Sequence, residues 1–477
     1  MQRSPRSRRV VQTAAALLLA ALAAPAVADA HGLVGRQDLP IPRWLFAWAA
    51  AVVLVISFVA LATLWPKPRL EEPREPRKLF TVPPLPFEFL GGVIGIAAFV
   101  AVVYAGFAGA QTETANLANT TIFVVFWIGI PVLSVLFGDV FRVINPWRAA
   151  GRAIGSVAKR LGGDALPEPL AYPERLGRWP AAAGILAFAW VELVYSGRSQ
   201  PDQLAGMAVA YAATQLVGMS LYGVEQWCAR ADAFGVYFNL FSRLSPLHWR
   251  NGTLESRAPL SGLPTLNVVP GTVALLCTMI GTTSFDGFSQ GPTWTSLAPH
   301  LQTFFKHFGF SEEHALEAGY TVGLVGVVLI VSGLYRLGIK GMRSIGGPYS
   351  ESDLARRFVH SLVPIALAYV VAHYCSFLLY QGQAMAYLAS DPLGDGSDLF
   401  GTAHSTINYG VISATGVWYV QVVALVLGHA SGLVLAHDRA LVLYKRARDA
   451  TRSQYWMLAV MVGFTSLGLW LLSAQSQ

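Results

Sequence analysis

Charged side chains are scarce in this chain. Asp, Glu, Lys and Arg make up 13% of its 477 residues, against about 25% in a typical soluble domain. Hydrophobic residues make up 54%, and the mean hydropathy is +0.48. A soluble fold of this length would still need a charged coat, so a soluble globular protein is excluded. Cysteine is also sparse: Cys228, Cys277 and Cys375 are scattered and form no C-x-x-C pair. Nothing requires a disulfide, and buried small hydrophobes account for all three. No H-E-x-x-H motif is present, so any metal site would have to be assembled from distant residues.

What is present is apolar sequence in long blocks. The first thirty residues read as a secretory signal peptide: Arg3, Arg6, Arg8 and Arg9 form a basic start, Thr13 to Leu22 an apolar stretch, and Ala28-Asp29-Ala30 a cleavage site. Cleavage after Ala30 leaves His31 as the mature N-terminus. Residues 31–477 then form one all-α domain, a polytopic transmembrane helical bundle of about ten spans. The spans are expected near 43–65, 86–107, 120–137, 178–196, 206–227, 265–283, 319–338, 358–388, 404–436 and 454–473. The eighth and ninth exceed one bilayer thickness, so tilt, a bend or extension into water must absorb the excess.

The positive charges fall in alternate loops. Clusters lie at Lys67 to Lys78, Arg142 to Arg175, Arg230 to Arg257, Arg336 to Arg357 and Arg439 to Arg452. These are the cytoplasmic loops if a cleaved signal peptide leaves His31 outside, which puts both mature termini on the exported side of an inner (plasma) membrane. The net charge of +7 is mostly this bias, so a nucleic-acid partner is not supported. The expected surroundings are membrane lipids.

Two basic-side segments look alike: Phe137-Gly138-x-x-Phe141 precedes Asn145-Pro146-Trp147-Arg148, and Phe234-Gly235-x-x-Phe238 precedes Ser245-Pro246-Leu247-His248-Trp249-Arg250. Tyr104-x-Gly106 and Tyr195-x-Gly197 recur upstream. The pattern suggests a duplicated unit of two helices plus an amphipathic segment, although interfacial anchoring calls for the same residues. The connection 284–318 begins Ser284-Phe285-Asp286-Gly287 and reads either as a surface loop or as a stretch dipping back into a protein-lined cavity.

Ionisable groups in hydrocarbon are costly and so mark candidate sites. Glu192 lies near the outer end of the fourth span, His373 within the eighth, and Asp286 just beyond the sixth. His404 and Asn408, four apart, would share a face at the outer part of the ninth. Topology gathers these at one end. Asp286, His373 and His404 become candidate ligands for a divalent ion, zinc-like or copper, with Asn408, Glu192 and the exported His31 as further ligands or partners. Asp286 and Glu192 are the candidate catalytic carboxylates. An interhelical hydrogen bond is the bland account of His373, and signal-peptidase residue that of His31. His300, His307 and His314 recur every seven residues, but Pro299 and Gly309 interrupt the helix and favour a solvated surface. On the basic side, His360, His429, His437-Asp438-Arg439, Glu225 and Asn239 read as a structural charge network.

Three stretches carry a resemblance: Ala30-His31-Gly32-Leu33-Val34-Gly35-Arg36-x-Asp38-Leu39-Pro40-Ile41-Pro42, then Ser284-Phe285-Asp286-Gly287, then Gly428-His429-Ala430-x-Gly432-Leu433-Val434-Leu435-Ala436-His437-Asp438-Arg439-Ala440. In these the chain resembles the bacterial multi-span proteins called fenitrothion hydrolases, over most of its mature length. The resemblance implies a membrane-bound hydrolase with an apolar small-molecule substrate, a phosphorothioate triester that it cleaves to a nitrophenol and a dialkyl thiophosphate, with no residue map to carry over. A metal-activated water is compatible with that chemistry. The alternative class is a transporter or a copper- or other metal-handling membrane protein, which would use the same long helices and buried polar groups; a membrane scaffold or assembly factor is a third.

Overall fold

The computed structural model describes residues 43–72, 75–162, 167–250, 252–444 and 446–474. The proposed signal peptide and His31 lie outside them. Each apolar block forms helix: α1 (Arg43–Leu64), α2 (Pro84–Ala108), α3 (Leu117–Phe137), α5 (Trp179–Leu193), α6 (Pro201–Tyr222), α8 (Thr272–Ser289), α10 (Glu312–Arg343), α11 (Val363–Gln381), α12 (Ala414–Leu443) and α13 (Tyr455–Ala474). Between them lie α4 (Pro146–Gly162), α7 (Ala233–Ser242) and α9 (Pro292–Lys306). Among the described residues, six helical segments are long and apolar enough to cross a membrane: α2, α3, α6, α10, Glu351–Ser390 around α11, and α12. This is a helical membrane protein.

Two sequence expectations need correction. The ninth segment does not begin at residue 404: α12 starts at Ala414, where the Ser413 hydroxyl accepts the Gly416 N–H at 3.0 Å. Upstream, Asn408 Oδ1 accepts the Gly410 N–H at 2.8 Å. That local turn competes with helix, so His404 and Asn408 do not share a helical face. Nor is 284–318 a plain loop. Helix α8 runs on to Ser289 with Ser284 to Gly287 buried, and α9 then packs antiparallel on α10, with Trp294 against Gly323 and Leu301 against Gly319. Pro299 sits inside α9 without ending it; Gly309, at φ +84°, separates it from α10. His300 on α9, His307 just after it and His314 on α10 are all exposed.

The most extensive helix pair is α11 with α12. It depends on Gly428 and Gly432, one turn apart: a Cβ at Gly428 would lie 2.7 Å from the Pro364 carbonyl oxygen, and one at Gly432 would lie 2.9 Å from that of Ser361. Small residues at this spacing let helix backbones approach where no water drives association. The core beside them is aromatic, with Phe126, Trp127, Phe141, Phe188, Phe234, Tyr237 and Phe238 joined ring to ring.

At the basic end the chain adds a three-stranded antiparallel sheet, β1 (Arg77–Thr81), β2 (Leu247–Arg250) and β3 (Thr253–Ser256), in the order β1-β3-β2. Gly252, just before β3, adopts φ +77°, the left-handed backbone that tight hairpin connections favour. A second device ties α12 to the chain following α1. Asp438 is 1% exposed. Its carboxylate accepts the Trp65 indole N–H at 2.8 Å and the backbone N–H groups of Arg69, Leu70 and Glu71 at 2.7, 2.8 and 3.0 Å. Arg439 pairs with Glu71, and His437 Nε2 lies 3.1 Å from the Trp65 carbonyl oxygen. The structural reading of His437-Asp438-Arg439 is thus given a form: it clamps the first basic loop.

Removing a buried charge from four donors leaves them all unpaired. Asp438→Ala is expected to cost about 3 kcal/mol. Asp438→Asn should cost less, because Oδ1 survives while the new NH2 group meets the Leu70 and Glu71 N–H groups. Thermal unfolding in detergent, with the exposed Glu72→Ala as reference at about ±0.5 kcal/mol, checks the order; equal melting of Asp438→Ala and Glu72→Ala would refute the clamp.

Candidate functional site

Asp286 lies one turn before the end of α8, where that helix packs between α5 and α11. It is 8% exposed. Two consecutive residues of α11 converge on its Oδ2: His373 Nε2 at 2.8 Å and the Tyr374 hydroxyl, which donates at 2.7 Å. Successive helical side chains diverge by about 100°, so a carboxylate reached by both must sit in the wedge between them. The His373 and Tyr374 rings are edge-on with centroids 4.7 Å apart. One turn along α8, Gln290 Nε2 donates to Asp286 Oδ1 at 3.3 Å.

Glu192 enters from the last turn of α5 and is half-buried. Its carboxyl interacts electrostatically with Asp286 and with the Tyr374 hydroxyl. A phenol has one proton, and that of Tyr374 goes to Asp286 Oδ2. His373, Asp286 and Tyr374 therefore form one hydrogen-bonded group, with the Glu192 carboxyl acting on it as a neighbouring charge. An imidazole oriented by a carboxylate is the usual arrangement of a general base. Nε2 faces Asp286, which makes Nδ1 the nitrogen that can exchange a proton with a reactant.

Of the residues named from sequence, the fold brings together Asp286, His373 and Glu192. It leaves His404 and Asn408 on an exposed loop. There Asp398 is held below the ordinary carboxylate range by the Ser390 hydroxyl and the Ala403 N–H, with the His404 imidazole adding a smaller pull. Among the described residues, no three His, Cys, Asp or Glu side chains group as a metal site. The donors of the cluster also point at one another rather than at a shared point. In this arrangement they do not fit a bound ion, and no step is derived through one.

Tyr374 and Gln290 were not among the sequence candidates. Adjacency to His373 was the only signal for Tyr374, and the i,i+4 relation to Asp286 the only one for Gln290. A second buried carboxylate was also missed. Asp232, fully buried before α7, accepts from Asn145 Nδ2, Trp147 Nε1 and the Tyr211 hydroxyl, each at 2.8 Å. Reciprocally, Asn239 Nδ2 donates to Asp139 at 2.7 Å. Two Asp-x-Phe segments, 139–141 and 232–234, each followed by Asn, thus exchange partners. This register differs from the one that aligns Phe137-Gly138 with Phe234-Gly235.

The remaining basic-end residues separate. Glu225 pairs with Arg148 at 2.9 Å, while His360 and His429 are buried apart, each with Nε2 unpartnered among the described residues. No protein-family model, curated protein or solved structure matches the chain.

Tyr374→Phe keeps the ring and removes the hydroxyl that donates to Asp286. It is expected to destabilise the protein by about 1–3 kcal/mol. His404→Ala and Asn408→Ala, on the exposed loop, should stay within about 0.5 kcal/mol. Thermal unfolding of the three variants side by side separates the buried cluster from the loop; a Tyr374→Phe protein that melts with the wild type would contradict the hydrogen-bonded group.

Proposed function

We propose that this protein is a membrane hydrolase acting on neutral organophosphorus triesters, of the kind its fenitrothion hydrolase resemblance implies. Water is activated by acid–base chemistry at Asp286, His373, Tyr374 and Glu192. The observation that carries the reading is the buried pair in which His373 Nε2 lies 2.8 Å from Asp286 Oδ2. His373 takes a proton from water as its oxygen bonds to phosphorus, and Asp286 stabilises the imidazolium that forms. The P–O bond to the aryl group breaks, and a nitrophenolate departs with little need of protonation. The proton on His373 then passes to solvent and the new P–OH group ionises, so that two protons accompany the dialkyl thiophosphate anion and the nitrophenolate.

The site lies at the end opposite the basic loops. With the basic loops in the cytoplasm, it faces the exported side of the inner membrane, so an apolar triester arrives through lipid and charged products leave into water. A zinc-like or copper ion is the alternative source of acidity, and it would require His373 and Asp286 to turn from each other toward a shared point. A second reading, proton-coupled transport, is favoured by one observation: Asp232 is another fully buried carboxylate, toward the basic end.

Turnover of a chromogenic phosphotriester by the purified protein in lipid tests the proposal. His373→Gln and Asp286→Asn are each expected to lose about 10²-fold or more in kcat, and His404→Ala to stay near wild type. Wild-type protein without turnover, or a fully active His373→Gln, would overturn it. Elemental analysis of the same samples decides on the ion: stoichiometric metal that disappears in His373→Ala would replace the acid–base pair as the source of hydroxide. Acidification of proteoliposomes without hydrolysis would favour transport.

A further inference from the structure

A cavity of about 420 Å³ lies between α2, α3, α5 and α6, apart from the Asp286 cluster. Ala98, Phe99, Val125, Ala187, Phe188 and Met207 are among its walls. Only three wall residues carry a hydroxyl or N–H on the side chain: Thr121, Trp147 and Tyr211. All three are engaged. Thr121 contacts the Met385 sulfur at 3.8 Å, and Trp147 and Tyr211 both donate to Asp232 at 2.8 Å. An occupant therefore finds no free side-chain donor, so a molecule with polar acceptors would lose its hydrogen bonds on entry.

Two further observations bear on the occupant. The α3 wall is a π-helix over Thr121–Gly129, a rare widened geometry that recurs at functional sites. Ala98 and Ala187 line the cavity, stand at the middle of their helices and are exposed. The cavity thus meets the surface at the depth of the bilayer hydrocarbon, away from both aqueous ends. Its size falls in the range of about 300–1,000 Å³ typical of small-molecule sites.

We infer that this cavity binds an acyl chain of a bilayer phospholipid. A phosphorothioate triester carries nitro and P=S acceptors that these walls cannot satisfy, whereas a hydrocarbon chain needs none. The inference does not rest on the hydrolase reading, since none of Asp286, His373, Tyr374 and Glu192 lines the cavity.

The test uses the full chain in nanodiscs containing a phospholipid with a diazirine in its acyl chain, followed by photolysis and mass spectrometry. Adducts are expected on Phe99 and Met207, and Ala187→Phe, which fills the space, should reduce them about tenfold. Labelling at the outward-facing Val93 and Val217 serves as the internal reference and should not change. Ala98→Phe replaces Ala187→Phe if the latter is not monodisperse. Equal labelling in wild type and filled variant would show that the chain touches only the outer surface and overturn the inference. Displacement of the label by a chromogenic triester would do the same by assigning the cavity to substrate.

Discussion

A carboxylate removed from water has to be solvated again by the protein, and inside a bilayer there is no other source of donors. Asp286, Asp232 and Asp438 are each at most 8% exposed, and each collects donors from distant parts of the chain. Asp438 takes them from the stretch after α1, Asp232 from α4 and α6 with the segment before α4, and Asp286 from α11 and its own helix. Each donor set joins helices that apolar packing alone leaves free to slide. Leu and Val against Leu and Val has little preference for one register inside lipid.

The three carboxylates differ in what surrounds them. The donors to Asp438 are backbone amides and an indole, which do not titrate near neutral pH. Those to Asp232 are an amide, an indole and a phenol. Of the three, only Asp286 has a histidine hydrogen-bonded to it and a second carboxyl, Glu192, close enough to interact electrostatically. The first two arrangements hold a charge still, whereas the third can move a proton. This contrast, more than burial, is why the Asp286 cluster carries the functional proposal and the others carry the architecture.

The resemblance motifs divide along the same line. Ser284-Phe285-Asp286-Gly287 contributes the cluster carboxylate together with Phe285, which is buried against Trp294 and Tyr320. The long run from Gly428 to Ala440 contributes glycines that seat α12 on α11 and the clamp at Asp438. One motif thus supplies chemistry and the other mostly holds helices together, and the distinction is invisible in the residue strings themselves.

Hydropathy alone determined the class: helical blocks, and their alternation with basic loops, follow from the cost of burying unpaired backbone in lipid. It also flagged Asp286, His373 and Glu192, because an ionisable residue stands out against an apolar run. Tertiary structure alone decided which of the flagged residues meet. His404 and Asn408 looked equivalent to His373 by position, yet Gly410 and the cap at Ser413 stop the helix short and leave them in the loop. Asp232 sat unnoticed in a basic segment, since its partners are about twenty and about ninety residues away in sequence. Periodicity reports which face of a helix is apolar; the groups that meet across helices are set by packing, which depends on glycine approaches and caps that a hydropathy pattern does not encode.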